Sequence, residues 1–254
     1  MNFFKKISPK FVVFLIFVYL SFVLIGCPSA PYTKPVEVTE ETTEIKTEET
    51  EAVRETDKAL IKFWDTYDSF VELDNKARDL WDKYNETLEK VNLIRDDLLG
   101  LTTREKEKIG KLGQKGLNVI TEQQEIIDKI REVIYEKGDI ISDLQGNVTK
   151  ITDPSKKLLA QEIADNLRET NNLESEELGL RDTLNRYDYS YFKDALFVSQ
   201  GKMTMEESNK RVEDLDDDIK ESLDKLDEIF NDINALIGKC SDLAAKLDSL
   251  GLYK

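Results

Sequence analysis

The stretch that decides the fold runs from residue 212 to residue 250 and reads VEDLDDDIKESLDKLDEIFNDINALIGKCSDLAAKLDSL. Apolar residues recur in it at alternating steps of three and four, and the residues between them are mostly Asp, Glu, Lys and Asn. A heptad repeat sustained over this length predicts a coiled-coil-like helix. Eleven of its twelve positions are apolar, Ser222 being the exception, and the row consists of Val212, Leu215, Ile219, Ser222, Leu226, Ile229, Ile233, Leu236, Cys240, Leu243, Leu247 and Leu250.

A second row of apolar residues runs beside the first. It recurs every seven residues and consists of Leu223, Phe230, Ile237 and Ala244. The second row widens the apolar stripe beyond the narrow seam of a two-stranded coiled coil. We therefore expect this helix to pack against more than one neighbour.

Three upstream segments show the same rhythm. The first places aromatic residues such as Phe63, Phe70 and Trp81 at helical spacing, and the other two repeat Ile, Leu and Val. Apolar residues at these intervals predict amphipathic helices. We expect four long helices, over about 53–99, 103–150, 154–199 and 205–250.

The joints between the expected helices are short and carry start and stop signals. Asp153 precedes Pro154, which suits an N-cap followed by a first-turn proline. Gly201 suits a helix end, and Thr204 with Glu207 offers a capping box for the last helix. Short connections make consecutive helices antiparallel. The sequence therefore predicts an all-α fold, a long antiparallel four-helix bundle that forms a coiled-coil-like rod.

The N-terminus is typical of an export signal. Residues 1–10 are basic, residues 11–26 form a charge-free apolar run, and Cys27 follows at once. At ~1.5 Å per residue the run spans only about 24 Å, which is short for a transmembrane helix and suits a signal peptide. The run ends Leu24-Ile25-Gly26-Cys27. This ending resembles the lipobox of prokaryotic membrane lipoproteins, although Ile25 is a less usual residue at its position.

The resemblance implies a lipid anchor. Residues 1–26 would be removed as a signal peptide, and Cys27 would become the diacylglyceryl-modified N-terminus, with palmitate-type acyl chains in the cell membrane. The alternative is an uncleaved signal anchor. Both alternatives place the body outside the cytoplasm, in the periplasm or at the cell surface, because the lysines of residues 1–10 stay inside.

A polar segment separates the expected anchor from the helices. Residues 27–52 are dominated by Pro, Thr and Glu after the cysteine, with almost nothing to bury. Such a composition does not offset the entropy of ordering the chain. We expect a disordered acidic tether that lifts the helical body, residues 53–254, away from the bilayer.

Composition excludes several function classes. The whole chain carries −16, and removal of the signal peptide with its three lysines leaves −19, which disfavours binding to nucleic acid. The chain contains no histidine, the usual general base and transition-metal ligand. No motif for a metal or a cofactor is present, so we expect neither, and we do not expect an enzyme. Paired carboxylates among the 52 acids remain the one route to catalysis.

Two clusters are candidate sites. Gly110, Gly113 and Gly116 recur at steps of three, which indicates a hinge, a strip for close backbone approach or simply a weakened helix. An aromatic cluster near the end of the third helix could form a ligand pocket or partner patch, or could plug the end of the core. It consists of Tyr187, Tyr189, Tyr191, Phe192 and Phe197.

These observations favour a binding function. We expect an exported, lipid-anchored binding or scaffolding protein that acts through helix–helix packing with a protein partner or with itself as a homo-oligomer. The alternative is a small-ligand-binding or sensory bundle with a pocket near the aromatic cluster 187–197. Two tripeptides, beginning at Asn85 and Asn147, also match the glycosylation sequon.

Overall fold

The computed structural model describes the backbone of residues 48–250 and the side chains of residues 58–250. This part of the chain contains four α-helices and no strand, so the predicted all-α bundle is confirmed. The expected signal peptide, Cys27 and most of the expected tether lie outside the described residues. The helices are α1 (Glu48–Leu99), α2 (Lys106–Val148), α3 (Pro154–Ser199) and α4 (Met205–Ser249).

The observed bounds follow the expected ones closely at the two joints that flank α3. Asp153 is the N-cap of α3, and its side chain accepts hydrogen bonds from the backbone N–H groups of Ser155 and Lys156. Thr204 and Glu207 form the capping box that opens α4. Gly201, between these helices, has a φ of 71°, a left-handed conformation that glycine adopts without strain.

Two helix starts differ from expectation. α1 begins at Glu48, inside the segment assigned to the tether, and α2 begins at Lys106 instead of residue 103. Before α2, the Glu105 carboxylate accepts a hydrogen bond from the Thr102 backbone N–H at 3.0 Å. This contact resembles half of a capping box, but it closes a turn ahead of the helix. At ~1.5 Å per residue the helices form a rod about 65–80 Å long.

Consecutive helices pack against each other along the rod. α1 packs on α2, α2 on α3, and α3 on α4, whereas α1 and α4 do not form a closely packed pair over the described residues. Among the side chains of residues 58–250, buried apolar residues of all four helices meet at one end of the rod, in what we call the four-helix cluster. Its members include Phe63, Trp64, Leu144, Ile163, Cys240 and Leu243.

The rest of the core is built mainly from three helices. The middle cluster takes buried residues from α1, α2 and α3, such as Tyr84, Ile130 and Leu178. The far cluster likewise joins Ile94 of α1 to Phe192 of α3 and takes only Met205 from α4. Away from the four-helix cluster, α4 therefore lies on α3 without completing a closed four-helix core.

No helix between residues 48 and 250 combines the length and apolarity needed to cross a membrane.

Candidate functional site

The gap between α1 and α4 leaves a groove along one side of the rod, with α3 as its floor. We call it the α1–α4 groove. Two hollows lie in it, one of about 340 Å³ and one of about 310 Å³, and each is lined by residues of α1, α3 and α4. In a bundle whose four helices closed on each other, side chains of α1 and α4 would fill this space.

The larger hollow, which we call the aromatic hollow, lies toward the far cluster. Tyr187 and Tyr191 of α3 line one side, and the heptad residues Val212, Leu215 and Ile219 of α4 line the other. All five side chains are half-buried. Heptad residues normally meet a partner helix, but within residues 58–250 no helix fully covers the apolar face of α4 at these positions.

Two ion pairs border the aromatic hollow. Arg95 of α1 pairs with Asp188 of α3, and the Arg95 guanidinium also lies 5.8 Å from the ring centre of Tyr191. Arg211 of α4 pairs with Asp194 of α3 at 3.1 Å. Burial raises the pKa of Asp188 despite the attraction of Arg95. The hollow therefore joins an apolar wall to charged groups that are already paired with each other.

The smaller hollow, which we call the charged hollow, lies nearer the middle of the rod. Ala77 and Trp81 of α1 face Phe230, Ile233 and Ile237 of α4 across it. The acids Glu174 and Glu177 and the base Arg181 of α3 form its floor, with Asp74, Arg78, Asp82, Asn85 and Asn234 completing its lining.

Lys137 of α2 is the most deeply buried charged residue among the described side chains, with no exposed area. Its ammonium donates to Glu174 at 2.7 Å and to Asp74 at 2.9 Å. Burial alone would raise the pKa of Asp74, but Lys137 and Arg78 outweigh it, so that pKa lies below its ordinary value. Burial likewise opposes the charge of Lys137, yet Glu174 and Asp74 raise its pKa. The three groups form an ion cluster in the interior of the rod.

Arg181 of α3 is held by a second set of contacts. Its guanidinium pairs with Glu177 at 2.7 Å and lies 5.0 Å from the ring centre of Trp81 and 5.2 Å from that of Tyr84. A guanidinium that stacks on aromatic faces and pairs with a carboxylate is held rigidly. The floor of the charged hollow is therefore well ordered and polar.

The polar residues of the floor belong to one stripe of α3. Their spacing of three and four puts them on one face, and all but the last are buried. We call this set the polar stripe of α3. It consists of Asn166, Thr170, Glu174, Glu177, Arg181, Asn185 and Asp188.

Sequence reasoning missed the polar stripe. Apolar periodicity alone predicts that such residues lie on the solvent side of a helix, whereas six of these seven are buried. The available signal was the spacing itself: seven polar residues repeat at helical intervals where α3 has few apolar ones.

The predicted aromatic cluster is divided between four environments. Tyr187 and Tyr191 line the aromatic hollow. Phe192 is fully buried in the far cluster, whereas Tyr189 is exposed. Phe197 lies under the ammonium groups of two lysines, Lys193 and Lys202, at 5.8 Å from each. Only two of the five residues therefore contribute to the hollow.

The predicted glycine strip lies in the uninterrupted helix α2, facing α3. A Cβ at Gly116 would overlap the ring of Phe192, and one at Gly113 would come within 3.0 Å of the Phe192 carbonyl oxygen. A Cβ at Gly110 would lie 2.8 Å from Ser199 Oγ. These contacts support the alternative of close backbone approach. The hinge stays a prediction.

The two cysteines and the two sequon asparagines are the other residues to which the sequence draws attention. Cys27 lies outside the described residues, and Cys240 is buried in the four-helix cluster. Asn85 lines the charged hollow, and Asn147 donates from its side chain to Thr66 Oγ1 at 3.0 Å. Between residues 58 and 250, no three carboxylates or thiols converge in a way that could hold a metal ion.

The fold and the groove define a class of protein: an all-α bundle, open along one seam, with a groove that is apolar on its α4 side and polar on its floor. Searches of protein-family models, curated proteins and solved structures return no match to the chain.

Proposed function

We propose that this chain is an exported, lipid-anchored binding protein that holds a helix of a protein partner in the α1–α4 groove. The observation that carries the proposal is the half-buried heptad face of α4 at Val212, Leu215 and Ile219, where no helix packs closely against it from α1. A helix laid in the groove would cover this face in the way that amphipathic helices fill apolar grooves elsewhere.

The dimensions of the groove suit a helix better than a compact ligand. The two hollows lie along α4 around residues 212–219 and 230–237. At ~1.5 Å per residue the stretch from 212 to 237 is roughly 38 Å long, which corresponds to about 25 residues of a bound helix. Large exposed apolar residues elsewhere are scattered singly along the rod, and these are Ile61, Leu93, Tyr135, Leu158, Tyr189 and Leu250.

The anchor belongs to the proposal on sequence grounds. The apolar run 11–26 and the Leu24–Cys27 ending support export and lipidation at Cys27. A tethered rod held outside the cytoplasm could present its groove to a partner in the same membrane or in the surrounding space. Processing of the full-length precursor in cells treated with globomycin tests the anchor. Normal maturation of the precursor in the presence of the drug would contradict lipidation at Cys27.

Photo-crosslinking in the native membrane tests the groove. A photoreactive phenylalanine derivative replaces Ile219 in the aromatic hollow or Ile237 in the charged hollow of the full-length chain. The matched control replaces Leu158, an exposed apolar residue of α3 that lines neither hollow. We expect one protein adduct of the same mass from both groove positions and none from the control.

The other outcomes are informative. An adduct of twice the mass of the chain would identify a second copy as the occupant and would make the protein a homo-oligomer. Absence of adducts from both groove positions, or equal labelling from Leu158, would refute the proposal.

A small ligand in the aromatic hollow is the second candidate function. The specific observation in its favour is the hollow of about 340 Å³ lined by Tyr187, Tyr191 and Leu215, which is large enough for a drug-sized molecule. A compact ligand would leave the charged hollow empty. Native mass spectrometry of the full-length chain would then show a small bound mass that a Leu215→Trp substitution removes, while crosslinking from position 237 would yield no protein adduct.

A further inference from the structure

We infer that the helix bound in the α1–α4 groove is a basic amphipathic helix, with lysine or arginine residues flanking its apolar stripe. The inference rests on the proposed function, because it concerns the chemistry of the partner in that groove. Its evidence is separate: it comes from the charges that border the groove.

The negative charge of the bundle is concentrated beside the groove. Residues 213–232 of α4 contain ten acids and only two bases, a net charge of −8. Over their full lengths α2 and α3 carry only −1 and −3. The segment 213–232 also spans most of the length between the two hollows. A partner in the groove would therefore lie along a strongly negative edge.

Helical register brings two of these acids to the apolar stripe itself. The row Leu223, Phe230 and Ile237 recurs every seven residues, and Phe230 and Ile237 line the charged hollow. One step earlier in the same row is Asp216, where an apolar residue would continue the stripe. Asp227 lies four residues after Leu223 and three before Phe230, so it shares their face of α4.

Both carboxylates are available to a partner. Asp216 and Asp227 are exposed. Desolvation by neighbouring groups and the nearby carboxylate of Asp224 raise the pKa of Asp227, which means that its charge lacks full compensation within the chain. A cationic side chain on a bound helix would supply that compensation.

The same charges argue against a second copy of the chain as occupant. Two α4 helices meeting in a shared groove would bring two segments of −8 together, and like charges across an interface oppose association. A basic helix instead gains from the opposite charge and is attracted to the groove from a distance.

Selection from a defined peptide library tests the inference. Each peptide is a helix of about 25 residues with a fixed Leu/Ile stripe, and every flanking position is either Lys or Glu. The library is selected on the full-length chain in detergent. Binding of the selected peptides is then measured to the native chain and to the Ile219→Ala/Ile237→Ala variant, in which two apolar side chains of the groove are truncated. We expect strong enrichment of Lys at the flanks and binding that the variant weakens.

Charge variants of α4 provide the decisive comparison. The D216N/D227N variant removes two charges from the groove side, and the matched control D217N/E228Q removes two exposed charges from the opposite side of α4. Two rim ion pairs correspond to roughly a three- to thirtyfold change in Kd. We expect this weakening, with a smaller salt dependence, for the first variant and little change for the control.

The outcomes separate the inference from the proposed function. Groove-dependent peptides without a preference for Lys, or equal weakening by both charge variants, would overturn the basic partner while the helix-binding groove stands. Failure to select any peptide that depends on Ile219 and Ile237 would overturn both.

Discussion

Lys137 of α2 donates to both carboxylate oxygens of Glu174 of α3, each at 2.7 Å, in the interior of the rod. Asp74 of α1 accepts a third hydrogen bond from the same ammonium at 2.9 Å. The cluster thus ties three helices together at the edge of the charged hollow. A buried ion cluster of this kind fixes how helices align, because its partners are strongly disfavoured when separated.

Replacing Lys137 with methionine should destabilise the bundle strongly. The K137M side chain has a similar length, but it leaves the buried carboxylate of Glu174 without its cation and leaves Asp74 with Arg78 alone. Removal of one partner from a buried ion pair costs about 3–5 kcal/mol. The control is Lys76→Met, which removes an exposed pair with Glu136 and should change stability by less than about 1 kcal/mol. The free energies of unfolding come from urea titrations, and equal losses in the two variants would contradict the prediction.

The same variant should gain more stability than the native protein as the pH falls from 7 toward 5. In the native protein the lowered pKa of Asp74 contributes stability above its ordinary value near 3.8, and that contribution is lost as the pH falls through the folded-state pKa. In the native protein burial already raises the pKa of Glu174 against the attraction of Lys137. K137M removes that attraction, so the pKa of Glu174 should rise further and the folded state should bind more protons near this residue than the unfolded state. The variant should therefore gain stability as the pH falls from 7 toward 5. Urea titrations at several pH values would show it, and a parallel change in both proteins would contradict it.

Substitution of Gly116 tests the close contact between α2 and α3. A Cβ there overlaps the buried ring of Phe192, so Gly116→Ala forces the ring or the helices to move. Overpacking costs about 1–3 kcal/mol, and because the Cβ overlaps a fully buried ring we expect the upper part of this range, which exceeds the ~1 kcal/mol gained in helix propensity. The control is Gly238→Ala, where a Cβ meets nothing within 4 Å and should stabilise α4 by up to about 1 kcal/mol. The Tm should fall for Gly116→Ala and rise for Gly238→Ala. A rise in Tm for both variants would show that the contact between α2 and α3 accommodates the added methyl group.

The thiol of Cys240 should be unreactive in the folded protein. Its side chain is buried in the four-helix cluster, and burial raises the pKa of the thiol to about 11. Little thiolate is present at pH 8, and reagents reach it only when the bundle opens. Maleimide labelling of the full-length chain, read by intact mass, should add one label after denaturation and none before. This outcome requires a lipidated Cys27, and rapid single labelling of the native protein would indicate that the Cys27 thiol is free.

The sequence predicts the architecture well because the relevant signals are local. The heptad row of α4 and the caps at Asp153 and Thr204 each depend on residues a few positions apart. They therefore determine the helices and their ends without knowledge of the tertiary fold. The antiparallel order then follows from the short connections.

The candidate site could not be predicted in the same way. The groove exists because α1 and α4 stay apart, and no local pattern specifies a distance between the first and last helices. The ion cluster cannot be predicted from local patterns either, since in the sequence Lys137 and Glu174 do not differ from surface residues of a helix. The density of aromatic residues around Tyr187 and Tyr191 predicts a pocket or a patch there. Helical register decides which of these aromatic residues reach the hollow, because it places Phe192 in the core.

The N-terminal third of α4 should be the least protected part of that helix. Between Asn209 and Ser222 no side chain is buried, whereas Leu223, Leu226 and Ile229 in the next turns are. Few buried contacts allow local opening without unfolding of the whole bundle. In hydrogen-exchange mass spectrometry of the full-length chain, amides of 209–222 should exchange roughly tenfold or more faster than those of 223–247.

A helix bound in the groove should remove this difference. It would cover the half-buried residues Val212, Leu215 and Ile219 and so raise the free energy of local opening by its binding energy. Protection should therefore increase at 209–222 more than at 240–247, a segment whose Cys240, Leu243 and Leu247 are already buried in the four-helix cluster. Uniform amide protection along α4 in the free protein would mean that this face is stabilised without a partner, and it would contradict the open groove.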